Sequence, residues 1–205
     1  MIQIKWVLAF TSMMLVAVVQ ADEQTGLSAT LDNFHQAAAR ADTTSYLQAT
    51  TEDMVFLGTD GTERWQGQGF RDFVESRFAT GRGWDYRPVE RNVMVTADGQ
   101  TAWFDETLQN ADLGLCRGSG VLVKSADGWK IAQYNLSVPV PNAMILDVVE
   151  DIAALDAAAA MVDPEAPDVV SGPAEVKETI TRQEAPAEPE VCRKKRFKTN
   201  FKASC

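Results

Sequence analysis

The order of apolar and polar positions divides this chain before any composition is counted. Leu27, Leu31, Phe34, Ala38 and Ala41 recur at three- and four-residue intervals, which predicts an amphipathic helix over Ser28–Arg40. Asp42-Thr43-Thr44-Ser45 offers a cap for a second, short helix ending near Thr50. Met54–Gly58 reads as a strand, and the turn residues Thr59-Asp60-Gly61-Thr62 return the chain into Glu63-Arg64-Trp65. Gln68–Ala79 places Phe70, Phe73, Val74 and Phe78 on one side of a further helix. Four strands follow: Trp84–Thr96, Thr101–Ala111, Leu115–Ser125 and Trp129–Val138. The pairs Asp98-Gly99 and Asp127-Gly128 mark hairpins, because glycine takes the positive φ such turns need. An Ala-rich helix, Asn142–Met161, closes the pattern after Pro139 and Pro141. Helices followed by an antiparallel meander predict an α+β fold, with helices on one face of a curved sheet.

The two ends of the chain are of a different kind. Lys5, the apolar run Trp6–Val19 and the small residues at Val19 and Ala21 describe a signal peptide (residues 1–21) cleaved after Ala21. The run is shorter than the roughly 20 residues that cross a bilayer. A periplasmic or secreted mature chain is therefore expected, in a compartment where disulfides form. At the other end, Asp163–Glu190 holds eight acidic residues and five of the eight prolines, and reads as a disordered spacer. Val191–Cys205 holds six basic residues and no acidic one, a terminus suited to weak contact with anionic surfaces. Cys192 and Cys205 within it could form a disulfide, or stay free. The folded part is thus a domain over residues 26–142 plus a C-terminal helix over 143–162.

Charge narrows the function. The whole chain carries −10, but residues 22–162 hold 21 acidic and 10 basic residues, so the domain is the acidic part and repels phosphate backbones. No nucleic acid is expected on it. One His and three Cys leave little for a four-ligand zinc site, and no metal or cofactor is expected.

The segments FLGTDGTERWQGQGF, FDETLQN, CRGSGVLVK and GWKIAQYNLSVPVPN resemble a SnoaL-like domain, a family of the nuclear transport factor 2-like (ketosteroid isomerase-like) superfamily, over Leu27–Asn142. The resemblance implies a cone: a curved antiparallel or mixed sheet wrapped over three N-terminal helices. It also implies an interior pocket and a tendency to form homodimers. Superfamily members include isomerases, cyclases and dehydratases as well as pockets without catalysis, so fold alone does not settle function.

Period-two alternation assigns faces within such a cone. With Lys130 and Lys124 outward, Trp129, Gln133, Asn135, Arg117 and Ser119 face the pocket. The Thr101–Leu108 strand admits two choices, and a bulge would exchange any of them. If Trp103 and Asp105 point inward, Asp105 meets Arg117, either as a general base beside a cation, as a clamp for an anionic or carbonyl group, or as a structural ion pair. Tyr86 or Tyr134 would be the hydrogen-bond donor an enolising enzyme needs, although Tyr134 alternates away from the pocket on this assignment.

His35 lies at the edge of the first helix's apolar face, where it is either an acid–base group at the cone mouth or a half-buried packing residue. Asp60 is either a rim carboxylate or a turn former. Trp65, Trp84, Trp103 and Trp129 are the aromatic candidates, two of them expected to line the pocket. Cys116 reads as packing. Related domains often carry histidines on the last strand. Gln133 and Asn135 stand there instead, which implies hydrogen bonding to a ligand rather than titration or metal binding. Three functions are left: a pocket for a small polar or aromatic molecule, an isomerase, cyclase or dehydratase using Asp105, Asp60 or His35, or a dimeric interaction module with a partner-binding tail.

Overall fold

The computed structural model describes residues 26–162. The signal segment, the acidic spacer, Cys192, Cys205 and the basic terminus lie outside the described residues. Helix α1 covers residues 26–39, α2 Thr43–Gln48 and α3 Gly67–Phe78. The strands are β1 Thr50–Leu57, β2 Arg64–Gln66, β3 Arg87–Val95, β4 Thr101–Asn110, β5 Gly114–Ser125 and β6 Gly128–Ser137. They form one six-stranded sheet in the order β2-β1-β6-β5-β4-β3. Every neighbouring pair is antiparallel except β1 and β6, which run parallel. The sheet is therefore mixed and the class α+β, as the pattern predicts. The chain divides into two units after Leu146. Of the second, the described part belongs to helix α4, Ile145–Val162, which carries Asp147 in its first turn, where the helix dipole favours an acid.

Local chemistry explains the element boundaries. Asp42 caps α2 by accepting the Ser45 amide at 3.1 Å. Both Asp-Gly turns have their glycine at positive φ, +68° at Gly99 and +108° at Gly128. Strand β1 starts four residues before the expected Met54, because the Ile131 amide donates to the Ala49 carbonyl at 2.9 Å and Thr50 pairs with Ile131. Strand β3 starts at Arg87 rather than Trp84. The Trp84 amide is spent on the Ala38 carbonyl, at 2.9 Å, which pins this loop to the end of α1.

One face of the sheet packs on the helices. Leu27, Leu31, Phe34, Ala37 and Ala38 of α1, Tyr46 of α2, and Phe70, Val74 and Phe78 of α3 meet Ala102, Phe104, Leu108, Cys116, Leu122, Ile131, Tyr134 and Leu136 of the sheet. This row corrects the expected faces. On β4 the inward set is Ala102, Phe104, Glu106 and Leu108, so Trp103 and Asp105 point out. On β5 the inward set is Cys116, Gly118, Gly120 and Leu122, so Arg117 and Ser119 point out as well. Lys124 misleads because it sits at the strand end, where its ammonium lies 5.5 Å over the Trp129 ring instead of marking the outer face. On β6 Lys130 does mark the outside, and Trp129 and Ile131 are buried. A bulge then places an extra residue, Ala132, between the pairs Ile131–Leu122 and Gln133–Val121. Beyond it the faces exchange: Tyr134 and Leu136 turn in, Gln133 and Asn135 turn out.

The inner glycines of β5 make room for neighbouring strands. A Cβ on Gly120 would stand 2.1 Å from the Gln133 carbonyl oxygen and 2.9 Å from the Phe104 ring, whereas one on Gly69, in α3, would meet nothing within 4 Å. Gly120→Ala should cost about 1–3 kcal/mol by overpacking. Gly69→Ala should stabilise by roughly 0.5–1 kcal/mol through helix propensity. Urea unfolding of the two variants checks the pair, and equal effects would contradict the register.

Candidate functional site

Glu106 is the one acidic side chain on the inner face of the sheet, and its residue is 1% exposed. Burying a carboxylate costs several kcal/mol unless hydrogen bonds and opposite charge offset it. Three neighbours do so. Arg91, its direct partner across the β3–β4 ladder, donates Nε–H to Oε2 at 2.7 Å. Tyr134, two strands away on β6, donates its hydroxyl to Oε1 at 2.8 Å. His35, reaching down from α1, places Nε2 2.6 Å from the same oxygen. Gly118 pairs with Glu106 on the β5 side, and its missing side chain is what lets Tyr134 reach across. A Cβ there would stand 2.1 Å from the Tyr134 oxygen. Arg91 extends the network to the surface, donating Nη1–H to Asp32 at 2.7 Å and to the Ser28 carbonyl at 3.3 Å.

Burial by itself pushes the Glu106 carboxyl up. The hydrogen bond and charge of His35, with the charge and hydrogen bond of Arg91, outweigh it and hold the pKa below the ordinary glutamate value. An ionised carboxylate carries no proton, so Nε2 of His35 must be the donor, which fixes the proton's place on the ring. Tyr134 is held well above its ordinary pKa, by burial first and by the Glu106 charge second, so its hydroxyl keeps its proton.

His35 and Tyr134 form the inner wall of a cavity of about 140 Å³. An apolar cavity of roughly that size accepts a benzene-sized molecule. The remaining wall is built from every layer of the fold: Phe34 and Ala38 from α1, Tyr46 from α2, Phe56 from β1, Trp65 from β2, Phe73 from α3, Trp84 and Tyr86 from the loop before β3, and Leu136 from β6. Ring stacking holds these walls, with Trp65 on Phe73 at 4.1 Å and Phe56 nearly parallel to Tyr134 at 5.7 Å. Gly58, Thr59 and Glu63, around the β1–β2 turn, complete the lining.

The family model of the SnoaL-like domain matches residues 27–141, the stretch that builds this sheet, its helices and the cavity. The chain belongs to the SnoaL-like domain family. Solved structures agree on the fold. A nuclear transport factor 2-like protein of unknown function from Pseudomonas putida matches at 12% identity and a TM-score of 0.51, over 60% of this chain and 90% of that one. A nuclear transport factor 2-like family protein from Streptomyces avermitilis matches at 17% identity and 0.51, over 60% and 99%. A protein of unknown function from Mycobacterium tuberculosis matches at 16% and 0.50, over 62% and 78%. No curated protein matches the chain.

Within this SnoaL-like domain the expected site residues separate. His35, Trp65 and Trp84 line the cavity. Asp105 is exposed on the outer face, where it accepts from Asn92 at 3.1 Å, and no ion pair joins it to Arg117 among the described residues. The inward face expected for Arg117 rests on Lys124, which reports the strand end instead, and of the two choices for β4 the one that turns Asp105 out holds. Trp103 is 46% exposed on that outer face; Ser119 shares it by the alternation of β5, and Gln133 and Asn135 through the Ala132 bulge. Trp129 is buried but lines a different, shallow polar groove with Arg40, Gln48 and Lys130. Asp60 accepts the Thr62 amide at 2.8 Å and its hydroxyl at 2.6 Å, which lower its pKa and make it the turn former. Cys116 is buried and burial raises its thiol pKa, so it is packing.

Glu106, Arg91 and Glu63 are not singled out in the sequence as site residues, and Tyr134, which strict alternation turns away from the pocket, lines it. One signal for Glu106 was present: Ala102, Phe104 and Leu108 are a more apolar set than Trp103, Asp105 and Thr107, so the polar member of the apolar set had to be the buried one.

Glu106→Ala strands three donors and should cost about 3–5 kcal/mol. Because its folded pKa is depressed, Glu106 contributes stability that is complete above the ordinary glutamate pKa of about 4.3 and lost as pH falls through the folded value. Glu106→Gln should therefore flatten the acid limb of the stability–pH profile as well as lower the plateau. Thermal melts between pH 3 and 7 check this. An unchanged acid limb would show that the carboxylate is not held ionised.

Proposed function

We propose that this SnoaL-like protein is exported and holds a small, compact, largely apolar molecule in the cavity behind Trp65 and Trp84. The observation that carries the reading is the cavity itself, about 140 Å³ walled by aromatic rings from six separate elements and the loop before β3, with two polar side chains fixed by a buried carboxylate. Ligand sites have this make-up: apolar walls and a few polar groups held in place. Export rests on the Lys5, Trp6–Val19, Ala21 pattern.

A second reading, acid–base catalysis, is favoured by one observation, the 2.6 Å bond from His35 to Glu106. A buried carboxylate that orients an imidazole at a cavity wall is a general-base arrangement. It moves the proton-accepting role from Asp105 and Asp60, which lie away from the cavity, to His35. Deuterium exchange into the C–H bonds of a bound ligand, followed by NMR, separates an enzyme from a binding module.

Titration with benzene and phenol tests the cavity. Trp65 and Trp84 should report saturable binding by fluorescence, and melting should rise with ligand concentration, by about 2.7 kcal/mol of stability at a hundredfold excess over Kd. No saturable response from either probe would refute the cavity as a ligand site. Intact-mass measurement of the protein recovered from producing cells tests export, with a chain beginning at Asp22 expected and one beginning at Met1 opposed to it.

A further inference from the structure

Tyr46 is the cavity residue whose polar group the protein leaves unmatched at depth. Helix α2 sets its position: the Tyr46 amide donates to the Asp42 carbonyl at 3.0 Å, one turn after the capping residue. Four rings then enclose the phenol. Phe34 stacks on it at 4.2 Å, Phe78 meets it edge-on at 5.3 Å, and Phe70 and Trp84 tilt against it at 6.1 and 6.0 Å. None of these rings carries a lone-pair acceptor for a hydroxyl proton. The residue is 2% exposed, and its hydroxyl has no hydrogen-bond partner among the described residues. The side-chain polar atoms there that are both unpartnered and fully enclosed are Thr51 Oγ1, Arg77 Nε and Arg91 Nη2. The Tyr46 hydroxyl is not one of them, so it keeps accessible surface, and that surface opens on the cavity the residue lines.

The other donors on the wall stand differently. Tyr134 has committed its proton to Glu106. Trp65, Trp84 and Tyr86 bear donors as well, but all three are half-buried and Thr59 is exposed, so solvent reaches these groups. A donor beside water loses little when no ligand is bound. A hydroxyl enclosed by rings costs free energy until an acceptor meets it. Burial raises the Tyr46 pKa well above the ordinary tyrosine value, so the group keeps its proton across the working pH range.

We propose that Tyr46 is the polar anchor of the ligand, its hydroxyl donating to an acceptor oxygen, such as that of a ketone, carried on an otherwise apolar ring. The inference rests on the cavity being a ligand site, as proposed above, and adds which side chain reads the ligand's functional group. The packed rings hold the phenol in place, so the donor is oriented before the ligand arrives and little ordering is required on binding. The aromatic walls receive the hydrocarbon body.

Cyclohexanone and methylcyclohexane have the same number of heavy atoms and differ in the acceptor. Fluorescence titration of the whole protein with each, in wild type, Tyr46→Phe and Tyr86→Phe, reads the anchor. Tyr46→Phe should weaken cyclohexanone about three- to tenfold and leave methylcyclohexane unchanged or tighter. Tyr86→Phe should weaken cyclohexanone less. Because the Tyr46 hydroxyl has no protein partner to lose, free Tyr46→Phe should melt no lower than wild type. Infrared spectroscopy needs no variant: the C=O stretch of cyclohexanone bound to wild type should lie below its value in a hydrocarbon solvent. An unshifted stretch, or equal cyclohexanone affinity in wild type and Tyr46→Phe, would overturn the inference. So would an equal loss of both probes in Tyr46→Phe, which would leave Tyr46 a packing residue, or a lower melting point of the free variant, which would give its hydroxyl a structural role. A larger loss from Tyr86→Phe would move the anchor away from Tyr46. Methylcyclohexane binding without cyclohexanone binding would overturn the anchor and keep the ligand site. Saturable binding of neither probe to wild type would instead take down the ligand-site reading, and this inference with it.

Discussion

A carboxylate with no access to water sits where the sheet would otherwise carry a hydrophobic side chain, and most of the domain is arranged to satisfy it. Glu106 needs donors on both oxygens, and the fold brings them from three directions: Arg91 along the sheet, Tyr134 across an intervening strand, and His35 from the helix above. The demand explains features that otherwise look unrelated. Gly118 lacks a side chain so that Tyr134 can reach. The bulge at Ala132 turns Tyr134 inward when simple alternation would turn it out. Arg91 then ties β3 to Asp32 and Ser28 on α1, so one buried charge sets the position of the first helix on the sheet. Such a network adds little net stability over an apolar equivalent but is costly to break in part. Its effect is to fix geometry at the cavity wall.

That fixing has a chemical consequence. A tyrosine and a histidine facing an aromatic cavity would ordinarily be described as donors. With an ionised carboxylate behind them, the Tyr134 hydroxyl proton and the Nε2 proton of His35 are both directed at Glu106. Two polar side chains of the cavity are thus oriented by a residue that does not line it.

Much of the architecture was legible in the chain because it depends on local chemistry. The Leu27–Ala38 spacing marks α1, Asp42 marks the cap of α2, and the Asp-Gly pairs mark the last hairpins. The segments between Phe56 and Asn142 carry the family resemblance. His35 was legible as a cavity residue because it lies on the apolar stripe of its own helix. Which way each strand faces was less so. Period two gives two sets per strand but needs an outside reference to choose between them. Lys124 was a poor reference, since a long side chain at a strand end can fold over a ring. The Ala132 bulge leaves no signature in composition. Arg117 was therefore placed inside, Asp105 was weighed there as one of two choices, and Glu106, one residue along, was not singled out. Arg91 and Tyr134 became visible as its partners only once register brought residues 15 and 28 positions away beside it.

The central claim, that Glu106 stays ionised and accepts a hydrogen bond from the Nε2–H of His35, can be read from a single resonance because the chain has one histidine. Proton–nitrogen correlation NMR of the imidazole should show a slowly exchanging proton on Nε2 at neutral pH, with cross-relaxation to the Tyr134 ring and its loss in Glu106→Ala. An imidazole whose proton sits on Nδ1, or whose Nε2 proton exchanges freely with water, would contradict the account.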